Sequence, residues 1–260
     1  SKPSVLFVPT DISLSATSFN ENISSREVVA TLSTTDEDAS DSHTYSLVSG
    51  TSDTDNALFT IEGTELKINS SPDYETKSSY TIRLKTTDSG GLSYEEAVTF
   101  NINDINEVAT DISLTATSFD ENINAGEVIA TLSTTDDDSS DTHTYSLVSG
   151  AGDTDNALFT IEGNTLKINS SPDYETQSSY NIRLKTTDSG GLTYEETVTF
   201  SVNDLIDETP TDISLSSTSF NENINAASIV ATLSTTDDDA FDTHTYELVS
   251  GAGDTDNSLF

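Results

Sequence analysis

The sequence predicts an all-β chain built from tandem seven-stranded Greek-key β-sandwiches. Three observations lead there: a repeat of about 100 residues, period-two apolar alternation inside each copy, and turn-forming clusters where the alternation stops. TDISLSATSFNENISS at 10–25 returns as TDISLTATSFDENINA at 110–125 and TDISLSSTSFNENINA at 211–226. A period of that length marks successive modules rather than one large domain. The third copy runs only to DTDNSLF at 254–260, about half a unit. The expected organisation is an extension at 1–9, a first repeat at 10–108, a second at 109–209 and a truncated third at 210–260.

Within the first copy the apolar positions mark each strand in turn. Ile12, Leu14 and Ala16 alternate, then Val28, Ala30 and Leu32, then Tyr45 and Leu47. Phe59 and Ile61, Leu66 and Ile68, then Tyr80, Ile82 and Leu84, and finally Val98, Phe100 and Ile102 complete seven half-buried strands. SGTSDTDN at 49–56, EGTE at 62–65 and DSGG at 88–91 supply the turn chemistry between them. Counted the same way, the third copy holds strands at 212–220, 229–235 and 244–249, with a stub at 258–260. Half a sandwich leaves an apolar face without a partner. The aromatic residues fall on the apolar faces and read as core.

Composition limits the function. The chain carries 46 acidic and 9 basic side chains, a formal charge of −37, which argues against nucleic acid and anionic membrane as partners. No apolar run approaches the roughly 18 residues of a membrane span. There is no Cys, so thiol metal sites and disulfides are excluded. The chain begins SKPS, without Met or a signal peptide, and reads as a piece of something longer.

The acids gather in turns and at strand ends. SSPDYET occurs at 70–76 and again at 170–176, so Asp73 and Glu75 flank a tyrosine, as do Asp173 and Glu175. Glu21, Asp36, Asp38, Asp88, Asp104 and Glu107 have counterparts in the second copy. Sandwich topology sends the Glu21 and Asp73/Glu75 loops to one end of a module and the Asp36/Asp38 and Asp88 loops to the other. Carboxylate, amide and carbonyl oxygens suit Ca²⁺. The few His do not cluster, which disfavours zinc. His43, His143 and His244 read as exposed strand positions duplicated with their unit.

These motifs in order resemble tandem cadherin repeats, of the kind found in bacterial adhesins. The residues that carry the likeness are ENI at 21–23, TTDEDASDSHTYSL at 34–47, PDYE at 72–75, TTDSGGL at 86–92 and DINEVA at 104–109. The resemblance implies Ca²⁺, three ions between successive repeats. Carried over, the first junction takes Glu21, Asp73 and Glu75, side chains of Asn106 and Glu107, backbone carbonyls of Ile105 and Val108, and then Asp136, Asp138 and Asp188 with a carbonyl near Asp141. The second takes Glu121, Asp173, Glu175, Asp207, Glu208, Asp237 and Asp239. Seven carboxylates meet at the first junction, and three divalent ions nearly neutralise them; without cations, pairs about 5 Å apart repel by roughly 3 kcal/mol each. The linkers depart from the family pattern: Glu107 stands for its Asp, Val108 and Ala109 for its Asn and Pro, and DLIDETP at 204–210 is one residue longer. Residues 1–9 hold no acidic linker, so Asp36, Asp38 and Asp88 form an orphaned half-site, expected to be weak or empty.

The resemblance further implies a non-enzymatic extracellular or cell-surface segment. Its expected partners are Ca²⁺ together with other cadherin-like repeats or a cell-surface ligand. It would serve as a rod stiffened by Ca²⁺, for adhesion, including homophilic adhesion, or as a spacer. A carbohydrate-binding module is the alternative, with Phe241 as its nearest exposed aromatic. Catalysis has no support: Asp73 and Glu75 face no cleft of the kind a glycosidase needs, and no nucleophilic triad or phosphate loop is present.

Overall fold

The computed structural model describes residues 6–205, 208–239 and 242–260; Asp207 and Phe241 lie outside them. The chain divides into two compact units. The first holds the residues to Ala109 together with Asp136–Thr142 and Ser189–Leu192, and the second holds Thr110–Thr135, His143–Asp188 and Thr193–Phe260.

Unit 1 contains β1 (Asp11–Leu14), β2 (Ser18–Asn20), β3 (Val28–Thr35), β4 (His43–Leu47), β5 (Phe59–Glu62), β6 (Glu65–Ile68), β7 (Ser79–Asp88) and β8 (Ser93–Asn103). They form two four-stranded sheets, β1-β3-β6-β5 and β2-β8-β7-β4. The first predicted strand is therefore two. It pairs antiparallel with β3, breaks at Ser15–Thr17, and continues parallel to β8 in the other sheet. The alternation at 28–32 also shifts. A bulge between Val28 and Ala30 turns Val29 and Ala30 inward (6% and 3% exposed) and leaves Val28 41% exposed, as an extra residue in one strand of a pair requires.

β7 shows the pleat most clearly. Tyr80, Ile82, Leu84, Thr86 and Asp88 all point inward. Its apolar members pack with Phe19, Phe59, Phe100 and Ile102 in one core. Phe100 lies 5.5 Å from Phe19 and 6.0 Å from Phe59 between ring centres. At the far end the core turns polar: Thr34 Oγ1 meets Thr86 Oγ1 at 2.7 Å and Tyr45 Oη at 2.9 Å.

Unit 2 repeats this plan with β9 (Asp111–Leu114), β10 (Ser118–Asp120), β11 (Val128–Thr135), β12 (Thr144–Leu147), β13 (Phe159–Glu162), β14 (Thr165–Ile168), β15 (Ser179–Thr187) and β16 (Thr193–Asn203). Its sheets are β9-β11-β14-β13 and β10-β16-β15-β12. Among the described residues the only helical turns are short 3₁₀ segments such as Asn56–Leu58.

Among the described residues the third copy adds β17 (Asp212–Leu215) and β18 (Leu233–Thr236), paired antiparallel. The strand predicted at 244–249 does not form, and the stub at its end is a 3₁₀ turn, Asn257–Leu259. The reason is pairing. Among the described residues β4 of unit 1 bonds only to β7 and β2 only to β8, and residues 211–260 include no equivalents of those partners. Ile213, Phe220 and Phe260 stand 59%, 60% and 70% exposed where Ile12, Phe19 and Phe59 are at most 8% exposed. Residues 211–260 expressed alone should show no cooperative unfolding in a thermal circular-dichroism scan, because that apolar face has nothing to bury against; a sigmoidal melt would refute this.

Candidate metal centre

Glu21 follows β2 directly and is 3% exposed. Asn22 after it adopts a positive φ of 58°, which ends the strand and folds the Glu21 side chain back. Both carboxylate oxygens are then used: Oε2 accepts the Tyr74 N–H at 2.7 Å and Oε1 accepts the Ile105 N–H at 2.8 Å. One buried acid thus ties the PDYE loop to the segment leaving β8. Tyr74 packs against the core, which steadies the loop that carries Asp73 and Glu75. Asp73 is held ionised, its pKa lowered by the Thr76 N–H and hydroxyl.

Oxygens of Glu21, Asp73 and Glu75 lie within 4.8 Å of one another, and so do those of Glu75, Asp104 and Asp138. At such spacing two full charges repel by about 3 kcal/mol at an effective dielectric near 20. The strain is visible in the pKa values. Burial, together with Glu21, Asp104 and Asp138, raises that of Glu75. Burial and Asp138 raise that of Asp104. Glu107 is pushed from 4.5 to about 7 by burial and by the charges of Glu21, Asp138, Glu75 and Asp104.

The segment 104–107 is pinned at several atoms. The Glu107 N–H donates to Asp138 Oδ2 at 2.7 Å, and the Asn22 amide donates to Glu107 Oε1. Glu107 Oε2 is buried with no hydrogen-bond partner. Asn106 lies against Gly190, where a Cβ would clash with it. Asp136 Oδ1 accepts the Asp138 N–H at 3.2 Å. Asp141 Oδ1 accepts the Ser189 hydroxyl at 2.6 Å, and Asp141 Oδ2 is buried without a partner.

Unit 2 holds a second set. Glu121, 1% exposed, accepts the Tyr174 N–H at 2.9 Å and the Leu205 N–H at 2.7 Å. Its oxygens gather with those of Asp173 and Glu175. The Glu208 N–H donates to Asp239 Oδ2 at 2.6 Å, and the Asn122 amide donates to Glu208 Oε1. Asp239 N–H donates to Asp237 Oδ1 at 3.2 Å. Burial, Glu121 and Asp239 raise Asp204. Asp188, also in unit 2, is buried directly after β15. Asp207 falls outside the described residues.

Three groups add side chains to the ligand set that the resemblance implies. Asp104 and Asp204 bring carboxylates to the two sets, and Asp141 brings its side chain rather than a carbonyl. Their signal was recurrence: Asp41, Asp141 and Asp242 hold one offset, as do Asp104 and Asp204. The histidines are not exposed strand positions. His43 is 14% exposed at its side chain and contacts Asp36 Oδ2 at 3.1 Å, and His244 contacts Asp237 Oδ2 at 2.7 Å.

The donor set fits Ca²⁺. Every ligand atom is a hard oxygen, and the orphaned buried oxygen of Glu107 is the kind of atom a cation satisfies. Burial and the neighbouring carboxylates push Glu107 up to about 7, which favours its protonated form, whereas Ca²⁺ takes the carboxylate. Calcium uptake at pH 7 should therefore release protons, read as a buffer-dependent calorimetric enthalpy; equal enthalpies in two buffers of different ionisation heat would refute it. In the metal-free protein the raised pKa has the opposite sign. Between about 4.5 and about 7 the folded state binds the extra proton, so stability falls as pH rises through that window.

Residues 115–203 match the family described as Cadherin domain. The chain is 30% identical over 224 residues to mouse "Protocadherin Fat 4" and 29% identical over 252 residues to the human protein. Those alignments cover 83% and 94% of this chain but only 4% and 5% of the relatives. Among solved structures, the Protocadherin GammaB4 extracellular domain superposes with a TM-score of 0.58 at 24% identity, over 88% of this chain and 38% of that one. Human Protocadherin-24 EC1-2 gives 0.56 at 22% identity, over 76% of this chain and 99% of that one. At those identities the likeness is one of fold. The relatives named are mammalian, and a bacterial adhesin draws no support from them.

Proposed function

We propose that this chain is a run of cadherin repeats from an extracellular protein, with repeats at 10–108 and 109–209, a third beginning at 210, and Ca²⁺ held where successive repeats meet. The observation that carries the reading is Glu107. Its buried, unpartnered Oε2 sits among the acids Glu21, Glu75, Asp104 and Asp138. A cation there converts mutual repulsion into shared attraction and fastens segment 104–107 to both neighbours. The first set is Glu21, Asp73, Glu75, Asn106, Glu107, Asp136, Asp138 and Asp188, joined by Asp104 and Asp141. The second is Glu121, Asp173, Glu175, Asp207, Glu208, Asp237 and Asp239, joined by Asp204. The protein acts in adhesion between surfaces, or as a spacer, through a linker stiff with Ca²⁺ and slack without it. Extracellular Ca²⁺ modules bind at about 10⁻⁴–10⁻³ M, so the external Ca²⁺ level sets the stiffness.

Small-angle scattering of the chain with Ca²⁺ and then with chelator tests this. A change in maximum dimension on chelation is the expected result. Superimposable profiles would reject calcium-dependent stiffening. The names of the relatives support the extracellular setting.

A further inference from the structure

We propose that residues 211–260 form a recognition site for an extended strand supplied by a separate polypeptide. Units 1 and 2 show how such a strand is read. β4 pairs with β7 over residues 84–88, which leaves the edge of β7 at Thr81 and Arg83 to the turn after β4. That turn binds two alternate residues of the strand. The Thr81 N–H donates to Asp55 Oδ2 at 2.7 Å, and the Arg83 N–H donates to Asn56 Oδ1 at 2.9 Å. In return the Asp55 and Val48 N–H groups donate to the Thr81 and Arg83 carbonyls, both at 3.0 Å. Unit 2 repeats all of these bonds with Asn181 and Arg183. The turn stands in for a neighbouring strand of the ladder.

The third copy carries the same turn already folded. Asp256 has φ −107° and ψ 9°, against −108° and 8° at Asp55. The Asn257 amide donates to the Val249 carbonyl at 2.8 Å, and the Gly251 N–H donates to Asp254 Oδ2 at 2.8 Å, as Asn56 and Gly50 do to Val48 and Asp53. Residues 211–260 include no counterpart of β7, so among the described residues Asp256 Oδ2 and Asn257 Oδ1 meet no strand. The two residues line a groove with Leu215, Leu233, Leu248 and Phe260, which are 45% to 70% exposed. The counterparts Leu14, Leu32, Leu47 and Phe59 share one core with Tyr80, Ile82 and Leu84 of β7. Preformed main-chain partners beside an apolar groove are what the addition of a strand requires: the backbone bonds give affinity, and the alternate side chains give specificity.

The chemistry of the occupant follows position by position. Apolar side chains are needed at alternate residues, as Tyr80, Ile82 and Leu84 supply them in β7. The residue between the last two is arginine in both units. Arg83 and Arg183 lie against Gly50 and Gly150, where a Cβ would come within 2.8 and 2.9 Å of the arginine side chain. Each donates to the carbonyl of the next residue, Thr51 at 3.3 Å and Ala151 at 3.1 Å. Gly251 and Ala252 hold these places in the third copy, and nothing lies within 4 Å of a Cβ built at Gly251. Upstream on the strand, Lys77 donates to Asp55 Oδ1 at 2.7 Å and Gln177 to Asp155 Oδ1 at 3.0 Å; Asp256 offers the same oxygen. The fitting strand is therefore extended, apolar at every second residue and cationic, and a chain of charge −37 favours a cationic partner.

The test titrates the full chain with a synthetic peptide that copies residues 176–188. In amide NMR the signals of Leu233, Asp256, Asn257 and Phe260 should shift to saturation with one peptide per chain. Arg183→Ala in the peptide should weaken binding about tenfold, and Ile182→Asp should abolish it. Asp256→Ala in the chain should weaken binding while the melting of units 1 and 2 stays unchanged. Fixed amides at Asp256 and Asn257 overturn the proposal, as does equal binding of the Ile182→Asp peptide. Shifts at Asp155 and Asn156 in place of Asp256 and Asn257 would assign the peptide to unit 2 by exchange with β15, which also overturns it. Sedimentation supplies the last arm: a dimer of the chain that the peptide does not dissociate gives the face to a second copy and overturns the proposal.

Discussion

Glu21→Ala is expected to abolish Ca²⁺ uptake at the linker that follows β8 and to cost unit 1 about 2–4 kcal/mol in metal-free buffer. Two independent losses add up. The Tyr74 and Ile105 N–H groups both end on Glu21; both bonds are only partly buried, so each donor left without its acceptor costs about 1–2 kcal/mol, the lower part of the range for fully buried ones. The same carboxylate groups with Asp73 and Glu75, so its removal also takes charge from the cation site. Glu21→Gln separates the two effects, because it keeps one acceptor oxygen and loses the charge. It should spare more of the stability and little of the calcium affinity. Denaturant unfolding with and without Ca²⁺ reads both quantities. A Glu21→Ala protein that still gains stability from Ca²⁺ as the unmodified protein does would remove Glu21 from the centre.

Phe100→Ala should cost about 3–5 kcal/mol, in the range of buried aromatic truncations. Phe100 is fully buried and packs against Phe19 and Phe59, so its loss opens a cavity lined by rigid rings that cannot close in. That is a large fraction of the roughly 5–15 kcal/mol that holds a domain together. The cores of the two units share no residue, so the damage should stay local. Differential scanning calorimetry is expected to show one transition moved down and the other in place. Phe200→Ala should give the mirror result in unit 2. A single transition that moves as a whole would show that the units unfold together.

Strand positions were legible wherever side chains alternate cleanly, as along Tyr80, Ile82 and Leu84. Three features were not, for physical reasons. The bulge at Val28–Ala30 places three apolar residues in a row, and alternation alone cannot say which of them is extra. The sheet change at Ser15–Thr17 rests on small residues with no special φ, so nothing in their type announces it. The strand expected at 244–249 has the right residues and no neighbour to bond, because strand formation depends on partners distant in sequence. The acids were legible as loop clusters, and the family motifs selected many of them. Asp41 and Asp104 lay inside those motifs, and Asp141 at the place of a carbonyl, but the resemblance gave none of the three a ligating side chain; only the geometry did. His43 and His244 looked like surface positions until each was seen against its aspartate.

The parallel pairing of β2 with β8 has a mechanical consequence. Residues near the start of unit 1 and the last strand before its exit lie side by side, with Phe19 opposite Ile102 and Asn20 opposite Asn103. When the chain is pulled by its two ends, these strands are drawn past each other along their length. Their hydrogen bonds then bear the load together, whereas a hairpin peeled from its tip gives way one rung at a time. A module wired in this manner resists being drawn out by force more than its modest ladder of three residue pairs would suggest, which suits a tether between two bodies that move apart.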